Sequence, residues 1–145
     1  MNNEEKKLLI KDLCARLPYG VICEDLEGKT RPLFGITPTQ HFIVTLDNAT
    51  DGTNGLKFCT IDCVKPYLRP MSSMTEEEEK EFVDICTDIA KDRIHFVMDG
   101  SIDSNYMLEK FDWLNKNHFD YRGLIPKGLA IVVTEENNPY EQNKP

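Results

Sequence analysis

Near its C-terminal end the chain reads His118-Phe119-Asp120-Tyr121-Arg122, shortly after its one tryptophan, Trp113. An imidazole beside a carboxylate is the smallest acid–base pair a protein can build. An arginine next to them adds a planar fork suited to carboxylate or phosphate. A histidine close to a helix C-terminus is favoured by the dipole there, which predicts a raised pKa. Neighbours along a chain need not face one another, however, and no second carboxylate or nucleophile can be identified to complete a mechanism. The block therefore reads first as a turn fixed by Asp–His or Asp–Arg pairing, with exposed contact residues. A small-ligand binder or hydrolase centred on His118, Asp120 and Arg122 is a rival reading, and it requires the three to converge on one cleft.

Five further side chains complete the set of candidate binding residues with His118: Tyr67, Arg69, Trp113, Tyr121 and Arg122. Tyr67 and Arg69 alternate around Leu68 in the proline-bounded segment KPYLRP, so on an extended chain both point the same way. Arg69 either presents a ligand contact or pairs with an acid of the following helix, and the second is the simpler use. Trp113 lies at the edge of a helix's apolar stripe, which favours packing over a partner hot spot. The glycines form neither a dinucleotide-binding nor a phosphate-loop pattern, and there is no GxSxG or HExxH. Asp51-Gly52 and Asn54-Gly55 mark turns without calcium-loop acid spacing. The five cysteines, Cys14, Cys23, Cys59, Cys63 and Cys86, fall outside zinc spacing and read as reduced thiols. Cys59, Ile61 and Cys63 are expected to share one strand face. No cofactor and no metal are expected, and an enzymatic role is disfavoured.

The elements that must position these residues follow from periodicity. Leu9, Ile10, Leu13, Cys14 and Leu17 make one face of a helix over 3–17, stopped by Pro18. Between 19 and 69 the texture turns to β, with runs at Gly20–Asp25, Arg31–Ile36, His41–Leu46 and Phe58–Val64. Turns at Glu27–Gly28 and Thr37–Pro38 and a loop at Asn48–Gly55 separate them. Strands this short predict a small, bent antiparallel sheet of SH3-like or half-barrel form. Lys65–Pro70, with two prolines, is expected to leave it as an edge or extended segment. Thr75 and Glu78 form a capping box that opens a helix over 75–91, with Phe82, Ile85, Cys86 and Ile89 inward. Arg93–Met98 reads as strand or irregular core. A third helix over 104–117 buries Met107, Leu108, Phe111 and Leu114. Ala130–Val133 is a candidate strand, and 134–145 a flexible tail. The expectation is one α+β domain over 1–133.

The net charge of −8 is unevenly placed. Residues 1–70 hold nine bases and nine acids, and residues 71–103 three bases and ten acids. The four glutamates of 76–79 suit the helix dipole, so the acidity has a local structural explanation. With no basic stripe, direct nucleic-acid binding is disfavoured. An acidic protein that blocks a basic nucleic-acid-binding or defence protein, through Glu76–Glu79, Asp84, Asp88 and Asp92, is a second rival. No apolar run is long enough to span a bilayer, and the first residues lack the basic-then-apolar pattern of a secretory signal. A cytoplasmic location without membrane contact is expected.

Three blocks, KKLLIKDLCARLPYGV (Lys6–Val21), KPYLRPMSSMTEEE (Lys65–Glu78) and DWLNKNHFDYRGLIPKGLA (Asp112–Ala130), together resemble a family of small uncharacterised proteins of anaerobic gut bacteria and of prophage-like regions of their genomes. The blocks cover about a third of the chain. The resemblance implies a cytoplasmic accessory protein and carries no activity or catalytic residue with it. The leading expectation is a non-enzymatic interaction module for a protein or peptide partner, using the edge and loops of the sheet and the C-terminal turn.

Overall fold

The computed structural model describes residues 1–37, 42–48, 55–99 and 105–141, and for 88–99 and 105–107 the backbone alone. The chain runs α1 (Asn3–Arg16), β1 (Ile22–Glu24), β2 (Thr30–Thr37), β3 (Ile43–Asp47), β4 (Leu56–Thr60), β5 (Lys65–Leu68), α2 (Glu76–Asp99), α3 (Asn105–Lys116) and β6 (Ile131–Val132). It is an α+β fold around one mixed sheet of order β4-β3-β2-β1-β5-β6. The α+β expectation holds. The antiparallel one needs correction, because β6 joins β5 in parallel.

A capping box at Asn2 and Glu5 starts α1. The helix ends ahead of Pro18, which opens a single 3-10 turn, and Gly20 then reverses the chain at φ 70°. Its buried face is Leu9, Asp12, Leu13 and Arg16, and Cys14 is exposed. Ile10 and Leu17 of the expected stripe pack against the core from its margin, Cys14 does not, and two ionisable residues join the buried face. Leu9 and Leu13 pack into the core with Val21, Cys23, Leu33, Val44, Leu46, Ile61, Val64 and Leu68. Leu124, Leu129 and Ala130 of the C-terminal turn close it.

β2 changes partner along its length. Thr30–Pro32 pair with β1, and Leu33–Thr37 pair with β3, with a register shift between Leu33 and Gly35. Pro32 lacks an N–H and sits where pairing to β3 has not begun, so it costs no ladder bond. Pro66 repeats the device. β5 is not the edge segment expected from its prolines; it lies between β1 and β6, and pairing with β6 starts only at Tyr67. β4 ends at Thr60, and Ile61–Cys63 form a 3-10 turn, so Cys59, Ile61 and Cys63 do not share a strand face.

The helix expected over 75–91 continues to Asp99 through Arg93–Met98, because neither proline nor glycine interrupts residues 76–99. Its N-terminus carries the expected box: Glu78 N–H donates to Thr75 Oγ1 and Thr75 N–H to Glu78 Oε1. The expected loop at 49–54, the turn at Pro38, His41 and the cap at 103–104 lie outside the described residues.

Residues 134–139, expected to be a loose tail, run back over the molecule and deliver Tyr140. Thr134 and Asn137 bond each other, and Asn137 Nδ2 donates to the Val132 carbonyl. Among the described residues no helix is long and apolar enough to cross a membrane.

Candidate functional site

α3 ends in a Schellman motif built around His118. Its N–H donates to the Asn115 carbonyl at 3.1 Å, and Phe119 N–H reaches back to Leu114 O at 3.0 Å. The residue at the pivot must be left-handed, and glycine normally takes it. Here it is His118, at φ 62°. The apolar contact that accompanies such turns is present, as Trp113 and Phe119 stack at 5.6 Å. A histidine where glycine would be unstrained needs a use for its side chain. The ring lies flat on Tyr140, with centroids 3.7 Å apart and planes 9° from parallel.

Tyr140 is a wedge in the sheet. Pairing of β1 with β5 stops at Cys23–Pro66. At the next position the Tyr140 hydroxyl accepts from Ile22 N–H at 3.2 Å and donates to Tyr67 O at 2.7 Å. Burial pushes its pKa up, so it remains a phenol. Tyr140→Phe deletes both bonds and leaves two backbone groups in need of partners. It should cost about 1–3 kcal/mol and speed hydrogen exchange at the Ile22 amide more than at any amide of β3.

The His118–Tyr140 pair walls a cleft of about 570 Å³ that is also lined by Arg69, Thr75, Glu78, Lys116, Asn117, Asn138 and Glu141. Its polar groups are largely committed to one another. Arg69 holds Glu78 through two bonds of 2.7 Å and lies 4.2 Å over the Phe119 ring. The Arg69 guanidinium in turn holds the Glu78 carboxyl below its usual range. Arg69 thus pairs with an acid of α2. Asn117 donates to Trp113 O. His118 does not carry the raised pKa expected at a helix C-terminus. Burial, with the charges of Arg16 and Arg69, lowers it to about 4. The ring is neutral at pH 7, and its Nδ1 is buried without a partner.

Asp120 and Arg122 turn elsewhere. Both Asp120 oxygens accept backbone N–H groups, from Leu124 at 2.8 Å and Ile125 at 2.9 Å. Its carboxylate therefore caps the turn that brings Leu124 into the core. Arg122 reaches back to Asp12 at 3.3 Å and donates to the Tyr121 hydroxyl. Tyr121 donates to Asn115. Neither Asp120 nor Arg122 lines the cleft that His118 faces, so the three do not converge. Tyr67, 6% exposed, donates to Glu24 at 2.7 Å and is no partner surface for Arg69. Trp113 sits between Phe82 and Phe119, its indole N–H on Glu81. Of the six sequence candidates, Arg69 and His118 line this cleft and the other four do not.

Beneath this turn lies a charged group that the apolar spacing of α1 does not include. Asp12 and Arg16, both with fully buried side chains, are bonded at 2.7 and 3.1 Å, and Arg16 also donates to Phe119 O at 2.6 Å. A second charge centre holds the sheet. Asp25 accepts from Arg31 at 2.7 Å, from Lys57 at 2.8 Å and from the amides of Glu27 and Lys29. Burial works against its ionisation, but these donors outweigh it and hold the carboxyl far below the usual range. Arg31 also bonds Asn48.

At the opposite end of the sheet two aromatic side chains are left in water. Phe34 is 61% and Phe58 68% exposed. Thr45 pairs with Phe58 on one side and with Gly35, beside the Phe34 bulge, on the other. A bulge turns its two residues toward the side faced by the one opposite, so Phe34, Thr45 and Phe58 form one row across β2, β3 and β4. Thr45 itself is only 6% exposed. Leu56 and Thr60 stand on the same face of β4 as Phe58 and are exposed. The signal was present in the pairs Leu33-Phe34 and Phe58-Cys59, since adjacent strand residues cannot both face the core. Of the acids of α2, Glu76, Glu77, Glu79, Glu81 and Asp84 are exposed, and the side chains of Asp88 and Asp92 are outside the description. The chain matches no family model, no curated protein and no solved structure.

Proposed function

We propose that the protein is a non-enzymatic interaction module that takes up an extended segment of a protein partner along β4. The observation that carries this reading is the Phe34–Thr45–Phe58 row beside a strand whose outer edge has no neighbour among the described residues. An added strand gains main-chain hydrogen bonds from such an edge, and alternate side chains gain apolar contacts. We read the change of partners along β2 as the bend of a half-open, SH3-like wall, which sets this face away from the helices. The polar cleft at His118 supports the module differently, by locking the C-terminal turn and the returning segment.

The test is selection of displayed ten-residue segments against the intact chain, with counter-selection against Phe34→Glu/Phe58→Glu. The expected winners alternate apolar and polar residues, bind at micromolar strength and shift amide resonances of β4 and Phe34. Segments that bind the doubly substituted chain equally well, or a selection that enriches nothing, would remove this reading.

A further inference from the structure

The β4 edge differs from what an edge strand usually shows. Exposed edges are normally blunted by an outward lysine, a proline, a bulge or sheer shortness. β6, at the other side of the sheet, is two residues long, and the chain beyond it turns back onto the Val132 carbonyl. β4 is five residues of regular register, without bulge or proline. Its one charge, Lys57, is turned inward, 2.8 Å from Asp25 and 3.4 Å from Glu27. The outward row is Leu56, Phe58 and Thr60, all uncharged.

The strand is also its own complement. Two copies laid antiparallel across a two-fold axis overlap in full only when the axis passes through Phe58. Leu56 then faces Thr60, Lys57 faces Cys59, and Phe58 meets Phe58, so no like charges oppose. An axis at Lys57 would set two ammonium groups against each other, which is unfavourable in a cross-strand pair. An axis between Lys57 and Phe58 would place an inward residue opposite an outward one and break the facing of the pleat. From the lack of edge protection among the described residues and this one compatible register of full overlap we infer that the strand docking on β4 is β4 of a second copy, giving a symmetric dimer with a continuous sheet. A shared edge of five residues buries little area, so the association is micromolar. Each copy carries −8, and screening that repulsion makes the dimer tighter as salt rises, the opposite of what a basic partner would show.

The inference rests on β4 being the docking edge, and the tests separate the two. Sedimentation of the intact chain should give a monomer–dimer equilibrium that strengthens with salt, and Phe58→Glu should raise its dissociation constant at least tenfold. Opposed residues on paired strands lie about 4.5–5.5 Å apart at Cα, within disulfide reach. Phe58→Cys should therefore form a 58–58 disulfide under mild oxidation. Leu56→Cys mixed with Thr60→Cys should link to one another, while neither alone links to itself, and the unsubstituted chain controls for its own thiols. A chain that stays monomeric at several hundred micromolar overturns the dimer. So does a dimer untouched by Phe58→Glu, or one whose crosslinks follow another register. A monomer that still binds the selected segments at Phe34 and Phe58 ends self-pairing alone and leaves the docking edge standing.

Discussion

Asp12→Ala should cost about 3–5 kcal/mol of folding stability, the range found when one partner of a buried ion pair is removed. Asp12 is the anion for two guanidiniums: Arg16 holds it at 2.7 Å and Arg122 at 3.3 Å. Burial raises the Asp12 pKa despite the hydrogen bond from Arg16 and the charges of both arginines. The carboxylate is therefore kept at a desolvation cost, and its partners are what make it tolerable. Without it, Arg16 retains the Phe119 carbonyl but is a fully buried cation with no counter-ion within bonding distance. Arg16→Met should be milder, because Arg122 still faces Asp12 and the thioether fills part of the space. Asp12→Ala/Arg16→Met should cost clearly less than the sum of the two single changes, since it removes both charges together. Urea midpoints for the four proteins close the cycle. A double variant as costly as that sum would show that the pair is not the energetic unit.

This pair marks where the sequence stopped being readable. Helical spacing located α1, and the stripe Leu9–Leu13 was the part hydrophobicity could see. Asp12 and Arg16 lie four apart on the adjoining face, a spacing that reads as a surface pair unless the carbonyl they meet is known. That carbonyl belongs to Phe119, over a hundred residues away. The prolines misled for a related reason. Pro66 argues against a central strand only if both neighbours need its N–H, and β6 begins pairing one residue later. Capping was legible because it is local: Thr75 and Glu78 needed no distant partner, and Arg69 was then near enough in sequence to be assigned to an acid of α2. The turn at 118–128 was legible as a turn. Its histidine was not legible as a stacking residue, because Tyr140 lies in a polar segment with nothing in its own spacing to show that it docks. Phe34 and Phe58 were visible as members of strands, but which of two neighbouring apolar residues faces water depends on the bulge at Leu33–Gly35, which local sequence does not mark.

Acid should weaken the fold through His118 over a defined window. Burial first, then the charges of Arg16 and Arg69, lower its pKa to about 4, whereas in the unfolded chain an imidazole titrates near about 6.5. As pH falls below about 6.5 the unfolded chain takes up a proton that the folded chain refuses until near about 4, so the contribution is complete above that window and lost across it. The loss is about 3 kcal/mol at most, from about 1.4 kcal/mol for each unit of pH in the window. Asp25, held low by its donors, loses its contribution only at more acid pH, and Asp12, shifted upward, works in the opposite sense. The three effects separate by substitution at His118 alone. His118→Asn removes the titrating group while keeping a residue that tolerates the left-handed conformation. His41 and His95 are common to both proteins, so the comparison isolates His118. The stability advantage of the parent over His118→Asn should therefore be largest at pH 7 and shrink steadily to pH 4, by up to that same 3 kcal/mol. A difference that stays constant from pH 7 to pH 4 would mean that His118 is not held neutral by its surroundings, and that its stack on Tyr140 works through shape alone.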